Sequence, residues 1–258
     1  MKVPFIDFRY DYEGNEKNYS DILIRHIKNG EFIGGDSLLK FEENLSRYLN
    51  VKNIITVGSG TDALIIALES LELTKKEVIV PAFSFFATSE AIIQAGLIPK
   101  FVDVSIEDCN IDPEEIENNI SEDTGAILPV HLFGKSANMI KILSISKSHN
   151  LKIIEDTAQA FGTKENGKFL GTIGDVGCLS FFPTKTLGAY GDGGAIVTND
   201  EKITQRAKML KNHGASKKYY NEVIGYNSRL DSIQASFLDM KLQKIDKNIS
   251  ERTKAGKF

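Results

Sequence analysis

From Asn53 onward, short apolar runs alternate with stretches of helical character, and this alternation restricts the fold more than any other feature of the chain. Apolar runs at 54–57, 77–80, 100–104, 126–130 and 151–155 predict strands, and 62–71, 88–95, 113–120 and 137–149 predict helices between them. Two more strands are expected at 176–182 and 195–198. Repeated strand–helix units bury their apolar residues when the sheet is mainly parallel and covered on both faces. The expected fold class is therefore α/β, a three-layer α/β/α arrangement around a mainly parallel central sheet. In such sheets ligands bind beyond the carboxyl ends of the strands, so the residues at those ends decide what the protein does.

The flanks are helical. Residues 20–29 carry Ile22, Leu23 and Ile27, and the pattern stops at Gly30. Residues 37–49 place Leu38, Phe41, Leu45 and Leu49 on one face, with Asp36 or Ser37 as the expected cap. Residues 231–254 read as one long helix through Ile233, Phe237, Met240, Ile245 and Ile249. The expected organisation is a large domain over 1–240, with an N-terminal helical segment, and a helix over 231–258 leading to a C-terminal domain that the sequence lacks.

A net charge of −4 argues against nucleic acid as the main partner. The basic run 208–218 reads as a solvated helix end and loop. Residues 78–98 are interrupted by Pro81, Glu90 and Gln94, so a buried strand and helix are expected there and no membrane span. Cys109 and Cys178 have no metal-ligand spacing, and His26, His149 and His213 lack a partner at such spacing, so no metal site is expected. Two cysteines and the absence of a signal-peptide pattern fit the cytoplasm.

Several strand ends carry chemically suggestive residues. Gly58-Ser59-Gly60-Thr61 joins an apolar strand to an apolar helix. Glycine admits a ligand close to the backbone, a helix N-terminus offers free N–H groups to a phosphate, and Ser59 and Thr61 add hydroxyls. With Ala63 the run also fits a loose dinucleotide fingerprint, a reading weakened because the next strand ends Val80-Pro81-Ala82 without an acid. Asp156 ends the strand 151–155, and Glu155 beside it must point to the other face. Phe83, Phe85 and Phe86 crowd one loop; one can stack on a flat ring, and core packing is expected for at least two. His131 ends another strand and is a candidate cleft residue. Lys185 sits between an apolar run and Gly188, Gly191, Gly193 and Gly194, a setting for a lysine that bonds to a carbonyl. A phosphate cradle, an aromatic, a carboxylate for a ring nitrogen and a held lysine together match pyridoxal 5′-phosphate (PLP).

The chain resembles the DegT-like nucleotide-sugar aminotransferases, PLP enzymes of fold type I. The resemblance is carried by the runs at 3–7, 30–34, 59–64, 81–91, 129–134, 155–160, 180–194 and 225–231. It implies that Lys185 forms the Schiff base and that Asp156 pairs with the pyridine nitrogen. It further implies Gln159 near the ring face or its 3′-oxygen, Phe85 stacked on the ring, and Ser59, Gly60, Thr61 and Ser180 around the phosphate. Asn227 is implied to reach the phosphate of a neighbouring subunit in a homodimer, with Arg229 and His131 toward the substrate. The implied reaction moves an amino group from L-glutamate to a keto-sugar on a nucleotide diphosphate. Some relatives are dehydratases with histidine at the lysine position, and Lys185 argues against that branch. The competing expectation, prompted by the end at Phe258, is a truncated, catalytically incompetent PLP-binding remnant.

Overall fold

The computed structural model describes residues 7–256, apart from the side chains of residues 10 and 11, so most of the run 3–7 lies outside the described residues. In chain order the elements are α1 (Arg9–Tyr12), α2 (Glu16–Asn29), α3 (Asp36–Leu49), β1 (Asn53–Val57), α4 (Gly60–Ser70), β2 (Glu77–Pro81), α5 (Phe86–Gln94) and β3 (Ile98–Val102). Then come α6 (Pro113–Asn118), β4 (Thr124–Ile127), a 3-10 turn (Leu132–Gly134), α7 (Met139–His149) and β5 (Lys152–Asp156). The hairpin β6 (Lys164–Glu165) and β7 (Lys168–Phe169) leads to β8 (Val176–Ser180), β9 (Gly194–Thr198) and α8 (Glu201–Leu210). A second hairpin, β10 (Ala215–Lys217) and β11 (Tyr220–Asn221), precedes α9 (Ser232–Leu242) and α10 (Ile245–Ala255).

Seven strands form the central sheet in the order β1-β9-β8-β5-β4-β2-β3. β9 runs against its neighbours β1 and β8, while the pairings from β8 through β5, β4 and β2 to β3 are parallel. The reversal has a consequence for the site. A parallel successor would need a crossover that carries the chain to the other end of the sheet. Because β9 returns antiparallel beside β8, the connection 181–193 with Lys185 stays at the carboxyl end of β8.

Strand alternation divides the core. Ile55, Val57, Val78, Val80, Ala126, Ile154, Cys178 and Ile196 face one side and pack with α4, α5 and α8. On the other side Ile54, Leu179, Ala195 and Val197 pack with α3 and α9. There Ile79, Ile127 and Ile153 pack with α6 and α7. By the same alternation Asp156 and Ser180 share the α4 face with Ile154 and Cys178.

Local chemistry sets the helix ends. Ser59, Asp112, Asn138 and Asp200 cap α4, α6, α7 and α8 through their side chains. α2 and α3 stop at Gly30 (φ 65°) and Asn50 (φ 56°), both left-handed. Three expectations fail. Neither Asp36 nor Ser37 caps α3: the cap position is Gly35, and Glu31 accepts from the Ser37 amide at 2.9 Å. The helix expected over 231–254 is two helices. Lys244 leaves the helical region (φ −112°, ψ 6°), and Leu242 and Ile245 on either side both enter the core. The basic run is also more than a solvated end, because Lys211 Nζ donates to the Thr56 carbonyl at 2.5 Å. No described helix is long and apolar enough to cross a membrane.

Candidate active site

The site lies at the carboxyl ends of β1, β5 and β8. β1 ends at Val57, and Ser59 Oγ then accepts from the Asp62 amide at 3.0 Å, which starts α4. Helix geometry leaves the Gly60 and Thr61 amides without an intrahelical acceptor. A Cβ on Gly60 would stand 2.7 Å from Ser180 Cβ, so only glycine lets the helix start approach β8 this closely. The result is an N–H-rich hollow walled by the Ser180 hydroxyl, with the helix dipole aimed into it.

Opposite, Asp156 is 5% exposed. Its Oδ1 accepts from the Ala158 amide at 3.1 Å and its Oδ2 from the Thr88 hydroxyl at 3.0 Å. Burial pushes the carboxyl above its ordinary pKa, while those two donors and the charge of Lys185 pull it down. A buried carboxylate raised this way gains from a cationic neighbour.

Lys185 sits in a tight turn in which its amide donates to the Phe182 carbonyl at 2.9 Å. Gly188 makes the turn possible, since a Cβ there would lie 2.3 Å from the Pro183 carbonyl oxygen. Lys241 Nζ braces the loop by donating to the Gly188 carbonyl at 2.7 Å and stands 3.9 Å from the Tyr190 ring centroid. Burial lowers the Lys185 amine below its ordinary 10.5, and the Asp156 charge opposes that shift.

Ser59, Gly60, Thr61, Phe85, Asp156, Gln159, Ser180 and Lys185 all line one cleft of about 340 Å³, a size in the range of small-molecule sites. Phe85 is 73% exposed at its rim. Gln159 Oε1 accepts from the Phe133 amide at 2.9 Å, which leaves its NH₂ for the cleft. The core packing expected for two of the three phenylalanines is not found: Phe83 and Phe86 are 52% and 73% exposed. They fall on the loop and first turn of α5, beyond the reach of the core.

Three expected residues stand apart from this cleft. His131 is fully buried and is not a cleft residue. Its Nδ1 accepts from the Ala137 amide at 3.1 Å, so Nε2 carries the proton and donates to Glu155 Oε2 at 3.0 Å. Asn227 and Arg229 are exposed on either side of buried Ser228, which bonds the Gly58 amide (2.9 Å) and Asp62 Oδ2 (2.6 Å). Alternation along this segment turns both outward.

Two residues to which the sequence gives no role belong to the framework. Thr88 holds Asp156. Glu155, on the opposite face as the alternation requires, accepts from the amides of Gly171, Ile173 and Gly174 at 2.7–2.8 Å as well as from His131. Glu155→Ala is expected to lower the unfolding free energy by about 3 kcal/mol or more, because it strands several buried donors; thermal or urea unfolding of the PLP-free protein checks this. Among the described residues no cluster of histidine, cysteine and acids forms a metal site.

A mostly parallel α/β sheet thus brings a half-buried lysine, a buried carboxylate and a helix N-terminus together around one cleft. Residues 15–258 match the DegT/DnrJ/EryC1/StrS aminotransferase family, and the chain belongs to that family. It is 44% identical over 255 residues to a pleiotropic regulatory protein of Geobacillus stearothermophilus, covering 98% of this chain and 68% of the other. It is 40% identical to the UDP-N-acetyl-3-dehydro-alpha-D-glucosamine 3-aminotransferase of Acidithiobacillus ferrooxidans, covering 92% and 64%. Its fold is similar to that of NtdA from Bacillus subtilis with bound cofactor PMP, at a TM-score of 0.88 and 36% identity, covering 95% of this chain and 56% of that one. The chain thus spans about two thirds of the length of these curated relatives.

Proposed function

We propose that the protein binds PLP and transfers an amino group from L-glutamate to a keto-sugar carried on a nucleotide diphosphate, in the making of deoxyamino sugars for a surface polysaccharide or similar glycan. One observation carries the reading: Lys185, Asp156 and the N-terminus of α4 line the same cleft. The aminotransferase named among the relatives acts on a UDP-linked sugar, which supports the substrate class. The PMP-bound neighbour supports the cofactor.

The residues fit the cofactor. The Gly60 hollow and the hydroxyls of Ser59, Thr61 and Ser180 would hold its phosphate, Asp156 its ring nitrogen, Phe85 one ring face and Lys185 its aldehyde carbon. When bound, PLP supplies a protonated ring that withdraws electrons from the carbon being deprotonated. Lys185 Nζ, as a neutral amine, takes the proton from the Cα of the amino donor and, as an ammonium, returns it to the receiving carbon. Burial of Lys185 favours the neutral form that the first of these steps requires. Asp156, shielded from water, keeps the ring nitrogen protonated.

The proposal extends to a cytoplasmic homodimer in which Asn227 reaches the partner's phosphate and Arg229 lies toward the substrate. It assigns the cofactor to residues 1–240 and gives 231–258 the role of leading to a further domain.

Three measurements bear on it. Incubation with PLP, glutamate and a panel of keto-sugar nucleotides, followed by mass spectrometry, is expected to yield an amino-sugar nucleotide. PLP bound without any amino transfer would favour the reading as a cofactor-binding remnant. The rate of PLP capture should rise with pH and level off below 10.5, as the depressed lysine loses its proton; a rise that continues past 10.5 would contradict the lysine's environment. Gly60→Ala, with its Cβ 2.7 Å from Ser180 Cβ, should weaken PLP binding about tenfold in a fluorescence titration.

A further inference from the structure

Asp156 is held on the α5 side by two hydroxyls in series. Thr88 Oγ1 donates to Asp156 Oδ2 at 3.0 Å and lies 2.8 Å from Ser84 Oγ. Thr88 is 2% exposed, and Ser84 lines the cleft. A threonine hydroxyl has one proton to give. With Asp156 ionised that proton goes to the carboxylate, so the remaining contact is fixed in direction: Ser84 donates to Thr88. The chain therefore runs from the cleft wall through Thr88 to the acid, with every donor aimed inward.

The same short segment carries Phe85, the aromatic proposed for the ring face. The Thr88 amide donates to the Phe85 carbonyl at 3.1 Å, closing the first turn of α5. One helix start thus places Phe85 at the rim of the cleft and Thr88 against the Asp156 carboxylate.

We infer that Thr88 is a positioning residue for PLP, which with Ser84 keeps Asp156 ionised and aimed at the pyridine nitrogen. The inference rests on the proposed PLP chemistry of this cleft. Donors to a carboxylate favour its charged form, and in a buried site a charge-assisted hydrogen bond is among the stronger ones. Without the Thr88 donor, Asp156 holds its proton more tightly and shares less charge with the ring. Loss of Ser84 acts in the same direction through Thr88 and less strongly.

The test uses the wild-type protein, Thr88→Val, Thr88→Ser and Ser84→Ala, each checked for unaltered melting before PLP is added. PLP affinity is measured by fluorescence titration, and ring-nitrogen protonation by NMR of PLP carrying an isotope-labelled ring nitrogen. Thr88→Val is expected to weaken PLP binding roughly tenfold or more and to move the nitrogen resonance toward the unprotonated position. Thr88→Ser should restore both, and Ser84→Ala should fall between. Wild-type affinity and an unmoved resonance in folded Thr88→Val would overturn this inference and leave the proposed function standing. Failure of the wild type itself to bind PLP would overturn both. Should Thr88→Val not fold, Ser84→Ala decides, and wild-type affinity with an unmoved resonance there would overturn the inference.

Discussion

Lys185→Ala is expected to leave a folded protein and to reduce amino transfer by at least about 10⁴-fold, since one change removes both the covalent anchor and the proton carrier. The loop should survive. Its shape depends on Gly188, on the bond between the Lys185 amide and the Phe182 carbonyl, and on Lys241 bracing the Gly188 carbonyl, none of which uses the Lys185 side chain beyond Cβ. Melting temperature and turnover measured together separate the two effects. A variant that melts like the wild type and keeps a tenth of its turnover would show that Lys185 is not the anchor.

Asp156→Asn should divide stability from function in opposite directions. Asparagine keeps the shape: the Ala158 amide still has an oxygen to meet, and the side-chain NH₂ can donate to Thr88, whose hydroxyl then turns to Ser84. Burial raises the folded-state pKa of Asp156 above its unfolded value near 3.8. The ionised acid therefore costs stability above its folded pKa, and that cost fades as pH falls through the folded pKa. The PLP-free variant should melt no lower than wild type at pH 7, and any advantage should vanish toward pH 4. Function moves the other way. A neutral amide cannot hold the ring nitrogen protonated, and kcat should fall on the order of 1,000-fold. A PLP-free variant that melts well below wild type at neutral pH would show that Asp156 is a structural acid.

The layered fold was legible because a period-2 apolar run and a helical stripe are visible without tertiary information. The alternation of Ile153, Ile154, Glu155 and Asp156 showed that the two acids face opposite ways, though which one meets the cleft required the sheet. Long-range pairings were not legible. Thr88 reads as an ordinary helix residue until folding brings Asp156, 68 positions along the chain, to its hydroxyl. His131 follows the apolar run 126–130 as a cleft residue would, yet its ring spends both nitrogens on Ala137 and Glu155. The break at Lys244 carries no proline or glycine to announce it. The reversal of β9, which keeps Lys185 at the cleft, depends on pairing with both β1 and β8.

The central claim is that Lys185 is the residue that takes PLP. Incubating the protein with PLP, reducing with borohydride and mapping the digest by mass spectrometry tests it directly. The expected result is one phosphopyridoxyl group on the peptide containing Lys185, absent when the same treatment is applied to Lys185→Ala. Label spread over other lysines, or a folded protein that takes no label at Lys185, would contradict it.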